Sequence, residues 1–288
     1  MKESLALGYV GVTGNVSEWR TFATDLYGMQ PIVDGDALRL RVDDRAWRFS
    51  IEPGPNPGLA YVGIELDSSA SLDAVVARVK AAGYDAEENS VLAKKRNVGR
   101  LVRTIAVDGT PLELFIGGMV VAEPFASLTG AKFVTGGAGL GHVLMLVPDL
   151  QAALHYYTTV LGFRVSDVVV VTEGVDAYFL HGGCRHHVIA LASIPGKTGP
   201  DHVFVEVDSI TTVGRAWDKT RAGAAPIVRE LGQHANDPVT SFYTQSPSGF
   251  AFEYGVNATR IGNEDEWVFK RWDSIYLWGG QVGPAGHL

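Results

Sequence analysis

The chain carries a single cysteine, Cys184, in 288 residues. No intrachain disulfide is possible, no paired-cysteine zinc motif exists, and one free thiol fits a reducing compartment. Also missing is any apolar run of about 18 residues, the length a membrane-spanning helix needs. The opening stretch MKESLALGYVGV has no long apolar segment of the signal-peptide kind. A cytoplasmic protein with no membrane partner is expected. Cations are in the minority, 24 Lys and Arg against 32 Asp and Glu, for a formal net charge of −8. The one basic cluster, Lys94-Lys95-Arg96, reads as a solvated turn, so a nucleic-acid partner is not expected. Histidine is absent from the first half. All eight (His142, His155, His181, His186, His187, His202, His234 and His287) fall at or beyond position 142, which places side-chain chemistry in the second half.

What is present is a hydrophobic fraction of 46%, enough for substantial cores, and a length that suits about two domains. The two halves repeat. LGYVGVTGNVSEWRTFATDLYGMQ (7–30) parallels LGHVLMLVPDLQAALHYYTTVLGFR (140–164): an apolar strand, a polar turn, then an amphipathic helix ending at Gly28 or Gly162, with Asp149 placed to cap the second helix. GLAYVGIELDSSASLDAVVARVKAAG (58–83) parallels GPDHVFVEVDSITTVGRAWDKTRAG (199–223), with caps expected at Ser69 or Ser71 and at Asp208 or Ser209. VDGTPLELFIG (107–117) parallels SPSGFAFEYG (246–255), each a turn followed by a strand carrying Glu113 or Glu253. These units predict an α+β fold of tandem βαβββ modules forming two similar open-barrel domains, residues 1–132 and 133–288. The glycine-rich segment 117–139 is the expected connection.

Strand alternation then sorts the polar residues. His142 shares a face with Leu144 and Leu146, opposite Val143, Met145 and Val147. His202 shares one with Phe204 and Glu206. Glu253 lies opposite Phe252 and Tyr254. One polar candidate per strand therefore points away from an apolar face. Two imidazoles and a carboxylate on a curved sheet make the facial triad of non-haem Fe(II) oxygenases. The matching positions of the first half are Tyr9, Tyr61 and Glu113, so that half is expected to be a degenerate, metal-free copy, with Glu113 stabilised by other means or nearer water.

The N-terminal LGYVGV, LYGM and RAWRFSIEPG, and the C-terminal GHVLMLV, FLHGGCRHHVIAL, DHVFVEV and HANDPVTSFYTQSPSGFAFEYG, resemble the two-domain type I extradiol ring-cleaving dioxygenases of the vicinal oxygen chelate (glyoxalase-like) superfamily. The resemblance covers nearly the whole chain. It implies Fe(II) held by His142, His202 and Glu253. It implies His187 as the acid–base residue, His234 and Tyr243 as groups bonding the catecholic oxygens, Asn236 and Asp237 as neighbours holding that loop, and Leu144 and Phe179 as pocket walls. The implied reaction is cleavage of a substituted, biaryl or polycyclic-type catechol by O2, in a homo-oligomer. His186 reads as structural or at the pocket rim, and His155, His181 and His287 as surface residues. Phe204 and the tail WVFKRWDSIYLWGG (267–280) either wall an apolar pocket or, for the tail, form a packed cap. The competing functions are a glyoxalase-like metal-dependent isomerase and a ligand-binding module of the same fold without metal.

Overall fold

The computed structural model describes residues 3–286. The first half builds an eight-stranded sheet from β1 (Leu5–Thr13), β2 (Gln30–Asp34), β3 (Ala37–Arg41), β4 (Phe49–Glu52), β5 (Gly58–Leu66), β6 (Glu87–Glu88), β7 (Arg100–Ile105) and β8 (Pro111–Ile116), in the order 2-3-4-1-5-8-7-6. The second builds ten strands, β9 (Gly141–Leu146), β10 (Arg164–Thr172), β11 (Val175–His181), β12 (Ile189–Ala192), β13 (Gly199–Glu206), β14 (Ile227–His234), β15 (Thr240–Gln245), β16 (Ala251–Val256), β17 (Lys270–Trp272) and β18 (Tyr276–Gly279). Their order is 17-10-11-12-9-13-16-15-14-18. Removing β17 and β18 leaves the same order as the first sheet, so each half is a pair of βαβββ modules. The aromatic tail supplies the two extra strands, one at each edge, where it covers backbone groups that an open edge would leave unpaired.

The helices are α1 (Val16–Thr21), α2 (Ser69–Ala81), α3 (Ser90–Arg96), α4 (Leu150–His155) and α5 (Ile210–Lys219). Four of them pack on the apolar outer faces of the sheets, and α3 lies on the concave side of the first. The first free amides of the helices are satisfied by Asn15, Ser68, Asn89, Asp149 and Ser209. The cap of α2 is therefore Ser68, one residue before the expected serines, because its hydroxyl accepts from Ser71 N at 3.1 Å. After α1 and α4 the chain widens into π turns, and the second buries Tyr156, Tyr157, Val160 and Leu161 together. Gly28 and Gly162 close these segments at φ 75° and 98°, a region other residues enter at a cost.

One apolar cluster runs through both halves. Trp19, Phe22 and Tyr27 of the first half pack against Phe250, Phe252 and Tyr254 of the second. Buried hydroxyls lock the seam: Trp19 Nε1 donates to Ser248 Oγ at 2.7 Å and Tyr27 OH meets Thr244 Oγ1 at 2.6 Å. Each fully buried aromatic here contributes about 1.5–3 kcal/mol of transfer free energy. Because Phe252 and Tyr254 are held in this seam, alternation turns Glu253 to the opposite, concave side of the sheet. No helix among the described residues is long and apolar enough to cross a membrane.

The basic cluster is not a solvated turn. Lys94, Lys95 and Arg96 lie in α3, and Arg96 is buried.

Candidate metal centre and active site

Three adjacent strands aim side chains into the second cup. His202 lies between the other two, since Phe204 of β13 pairs with His142 on one side and Glu253 on the other. His142 Nε2 is 3.2 Å from His202 Nε2 and 3.2 Å from Glu253 Oε2, and His202 Nε2 is 3.4 Å from the same carboxylate oxygen. All three residues are buried.

Proton positions sharpen this geometry. A bulge between Pro200 and His202 interrupts the pairing of β13 with β9, which brings Asp201 and His202 to the same side. His202 Nδ1 donates to Asp201 Oδ2 at 2.7 Å, so a neutral His202 presents a lone pair at Nε2. Burial lowers the His142 pKa to about 3, so this ring is neutral. Burial would raise Glu253, but its close contacts with His142 and His234 and the neighbouring His202 hold it well below the usual carboxylate range. Glu253 Oε2 has no hydrogen-bond partner among the described residues. Two imidazole Nε2 atoms and an ionised oxygen thus converge within 3.4 Å of one another, and with the His142 proton on Nδ1, which has no partner among the described residues, all three present lone pairs. One shared proton could satisfy a single pair, whereas a cation satisfies all three. Ligands at right angles about 2.1–2.3 Å from an ion stand about 3.0–3.3 Å apart, so the donor set fits a facial divalent site.

Around it, Glu253 Oε1 accepts from Ser241 Oγ at 2.6 Å. His234 Nε2 meets Tyr243 OH at 2.9 Å and lies 3.4 Å from Glu253 Oε1. Burial, then the Glu253 charge, pushes the Tyr243 pKa well up, so its hydroxyl keeps its proton. The His187 ring lies 3.9 Å from that of His142, with Phe179 edge-on at 4.9 Å. Burial, then the neighbouring histidines, depress its pKa well below 6.5. Phe179, Asn236 and Asp237 line the same pocket, while Leu144 lines the adjoining groove. Asn236 Nδ2 is buried without a partner among the described residues. Asp237, raised by burial, accepts from Thr259 N at 2.6 Å.

In a second buried convergence, His186, His187 and Asp237, the two histidines belong to a hydrogen-bond network, with Asp237 Oδ2 3.6 Å from His187 Nδ1. His186 Nε2 donates to Asp167 Oδ2 at 3.1 Å, and the Nδ1 atoms of His186 and His187 are 3.0 Å apart. His186 is thus an interior residue holding His187. His155 is exposed, as read, but His181 is not: it is 2% exposed, its Nδ1 bonded to Ser166 Oγ at 2.7 Å. His287 lies outside the described residues. Phe204 is not a pocket wall. It is fully buried and stacks behind His142 at 4.6 Å. In the tail, Trp267 packs on His186, Trp272 donates to Asp167, and Tyr276 and Ile275 line the groove. Sequence reasoning missed Asp167, Asp201 and Ser241. The one available signal was the carboxylate directly preceding a candidate ligand in DHV.

Comparisons with known proteins show the family. The family model described as Glyoxalase/Bleomycin resistance protein/Dioxygenase superfamily matches residues 139–254, and that described as Dihydroxybiphenyl dioxygenase BphC D1 matches residues 7–54. The chain is 39% identical to 3-methylcatechol 2,3-dioxygenase of Pseudomonas putida, over 95% of this chain and 96% of the relative. It is 38% identical to biphenyl-2,3-diol 1,2-dioxygenase of Paraburkholderia xenovorans, over 95% and 94%. It is 32% identical to the iron-dependent extradiol dioxygenase of Rhodococcus jostii, over 95% and 96%. The chain belongs to the extradiol dioxygenases. The crystal structure of BphC, a halotolerant catechol dioxygenase, superposes with a TM-score of 0.91 at 32% identity, covering 96% of this chain and 94% of that one. As an extradiol dioxygenase the chain is an oxidoreductase of the glyoxalase-like fold, and the isomerase and non-enzymatic readings fall behind this one.

Proposed function

We propose that this extradiol dioxygenase opens the ring of a substituted catechol beside its two hydroxyls, with Fe(II) held by His142, His202 and Glu253, and that the catalytic half is residues 133–288 and the supporting half residues 1–132. The observation that carries the reading is the convergence of two imidazole Nε2 atoms and an ionised carboxylate oxygen within 3.4 Å. The iron dependence named for one relative and the catechol and biphenyl-diol substrates named for others support the choice of ion and substrate.

Bound Fe(II) would supply open coordination positions and a one-electron couple for bringing a catechol and dioxygen together. The chain's own residues do the rest. Asp167 fixes the His186 proton at Nε2, so a neutral His186 accepts at Nδ1 from His187 Nδ1–H. His187 Nε2 is then left with a lone pair, and it takes the proton a catechol gives up on binding and returns it during ring opening. Tyr243, held protonated, donates to a catecholate oxygen, and His234 sets the direction of that hydroxyl. Asn236 Nδ2 offers a further donor to the bound ring. Phe179 and Leu144 exclude water from the reacting face.

Protein loaded anaerobically with Fe(II) is expected to consume one O2 per catechol and form a yellow ring-opened product from 3-methylcatechol or 2,3-dihydroxybiphenyl. No product from a broad catechol panel defeats the proposal. Turnover with Mn(II) and none with Fe(II) reassigns the ion alone.

A further inference from the structure

The metal-facing pocket leads outward. It has a volume of about 40 Å³ and shares His202, His234 and Tyr243 with a neighbouring space of about 90 Å³, walled mainly by aliphatic side chains such as Leu146, Val169 and Ile194. That space opens in turn into a groove of about 420 Å³ between Val171, Pro200, Val228 and Ala251. Arg229 lines both outer spaces and so stands at the throat between them.

Arg229 is only half exposed, and although its charge acts on Asp201 and Tyr243 its guanidinium makes no direct hydrogen bond or ion pair among the described residues. This contrasts with the fully buried Arg185 and the partly buried Arg260, which both hold Glu206. A planar fork of five donors left open beside an apolar passage is suited to a planar carboxylate. Asp201 is the nearest acid the throat offers, and it is committed to His202 Nδ1 at 2.7 Å. Its charge disfavours an anion on the metal side and leaves the outer side of Arg229, toward Lys197 in the groove wall, as the place for one.

We propose that the substrate is a catechol bearing an apolar extension that ends in a carboxylate, and that Arg229 is the specificity-determining residue that binds this carboxylate. The inference rests on the dioxygenase reading and names the substrate class for that same site. The diol occupies the metal-facing pocket, the apolar linker the aliphatic space, and the acid the groove beyond Arg229.

The test uses Fe(II)-loaded protein and two substrates that differ only at the far end: a 3-substituted catechol with an extended chain ending in a carboxylate, and its methyl ester. Wild-type protein is expected to favour the acid in kcat/KM by tenfold to a hundredfold, as a charge-assisted bond of this kind supplies. That preference should shrink with rising salt, and anaerobic calorimetry should show the same ratio in Kd. Arg229→Gln is expected to abolish the preference with ester turnover within about twofold of wild type, and Arg229→Lys to restore part of it. Turnover of both compounds with the ester equal or favoured overturns the inference and leaves the dioxygenase standing. Turnover of neither, nor of any simple catechol, overturns both. An acid preference that Arg229→Gln leaves unchanged also overturns it, because another group then reads the acid.

Discussion

Arg96 grips Glu113 at the place in the first cup that corresponds to the metal position in the second. Its Nε donates to Glu113 Oε2 at 2.9 Å and its Nη2 to Oε1 at 3.0 Å, with the guanidinium 3.8 Å above the Tyr61 ring. Tyr9 OH adds a bond of 2.7 Å to the same carboxylate. The pairing registers make Tyr9, Tyr61 and Glu113 the counterparts of His142, His202 and Glu253. Trp47, 4.5 Å from Tyr9, corresponds to His187 beside His142. A side-chain cation takes over where the other half has three converging acceptors. Glu113 is therefore stabilised by an ion pair and is not nearer water.

Both partners of that pair are almost fully buried, with side-chain exposures of 5% and 3%. Arg96→Met would strand a carboxylate in an apolar cup, and a loss of about 3–5 kcal/mol is expected. Arg96→Met with Glu113→Leu should recover most of it, since a well-packed apolar pair replaces a buried ion pair at little net cost. Urea unfolding of the single and double variants checks this. A single variant that costs less than about 1 kcal/mol, as an exposed pair would, contradicts the account.

In the second cup the same position is proposed to hold iron. His142→Ala is expected to lose bound metal and turnover together. His187→Gln should retain the metal while turnover falls by about 10²–10⁴, the range of a lost proton-transfer group. Metal content by absorption spectroscopy and single-turnover rates separate the two. Equal metal loss in both variants would make His187 a ligand.

Much of this was readable in the sequence because it depends on local periodicity. Alternation in GHVLML, DHVFVE and GFAFEY assigns each strand an apolar back, and Val143, Val203 and Phe252 are indeed in the core. The repeat assigns the module order. What was not readable depends on contacts between distant segments or on broken alternation. Asp201 would face away from His202 in a regular strand, and only the bulge brings it round. Arg96 was read as solvated because its partners Glu52 and Glu113 lie 44 and 17 residues away. His181 was read as a surface residue because nothing local shows that the tail segment closes over β10 and that Ser166 meets its ring.

Asp201 gives the third prediction. A carboxylate that accepts the Nδ1–H of a metal-bound imidazole fixes the tautomer and raises ligand basicity. Asp201→Asn is expected to weaken metal binding by about 10–100-fold, measured by competition with a chelator. Asn can still accept that bond, so Asp201→Ala should be weaker again. Equal affinity in wild type and both variants would leave Asp201 with no part in holding the ion.

Asp167 lies at the root of the His186–His187 network. Fully buried, it accepts from Lys270 N at 2.9 Å, Trp272 Nε1 at 3.1 Å and His186 Nε2 at 3.1 Å. Trp272→Phe removes one of those donors and keeps the packing. A fall in kcat of about three- to tenfold with KM and metal content unchanged is expected, in line with one lost bond to a charged acceptor of about 1 kcal/mol or more. A rise in KM with constant kcat would assign the tail to substrate binding.

Acid should weaken the metal-free fold earlier than carboxylate chemistry alone would require. Burial holds His142 at about 3 and His181 at about 4, and burial with neighbouring charges holds His187 well below its ordinary value. In the unfolded chain each titrates near 6.5. Between those values the unfolded chain binds protons that the folded chain refuses, so stability falls as pH falls. This contribution is complete above pH 6.5 and drains away on acidification through pH 4 and 3. Asp237, which burial raises, works in the opposite direction but is a single group. The urea midpoint of metal-free protein is expected to drop between pH 7.5 and pH 5 by an amount equivalent to about 2 kcal/mol or more. His181→Asn should flatten part of that slope. Adding metal at pH 7.5 should raise the midpoint more than at pH 5, because protons compete for the same imidazoles. A midpoint unchanged between the two pH values would mean that these histidines are not held neutral by the fold.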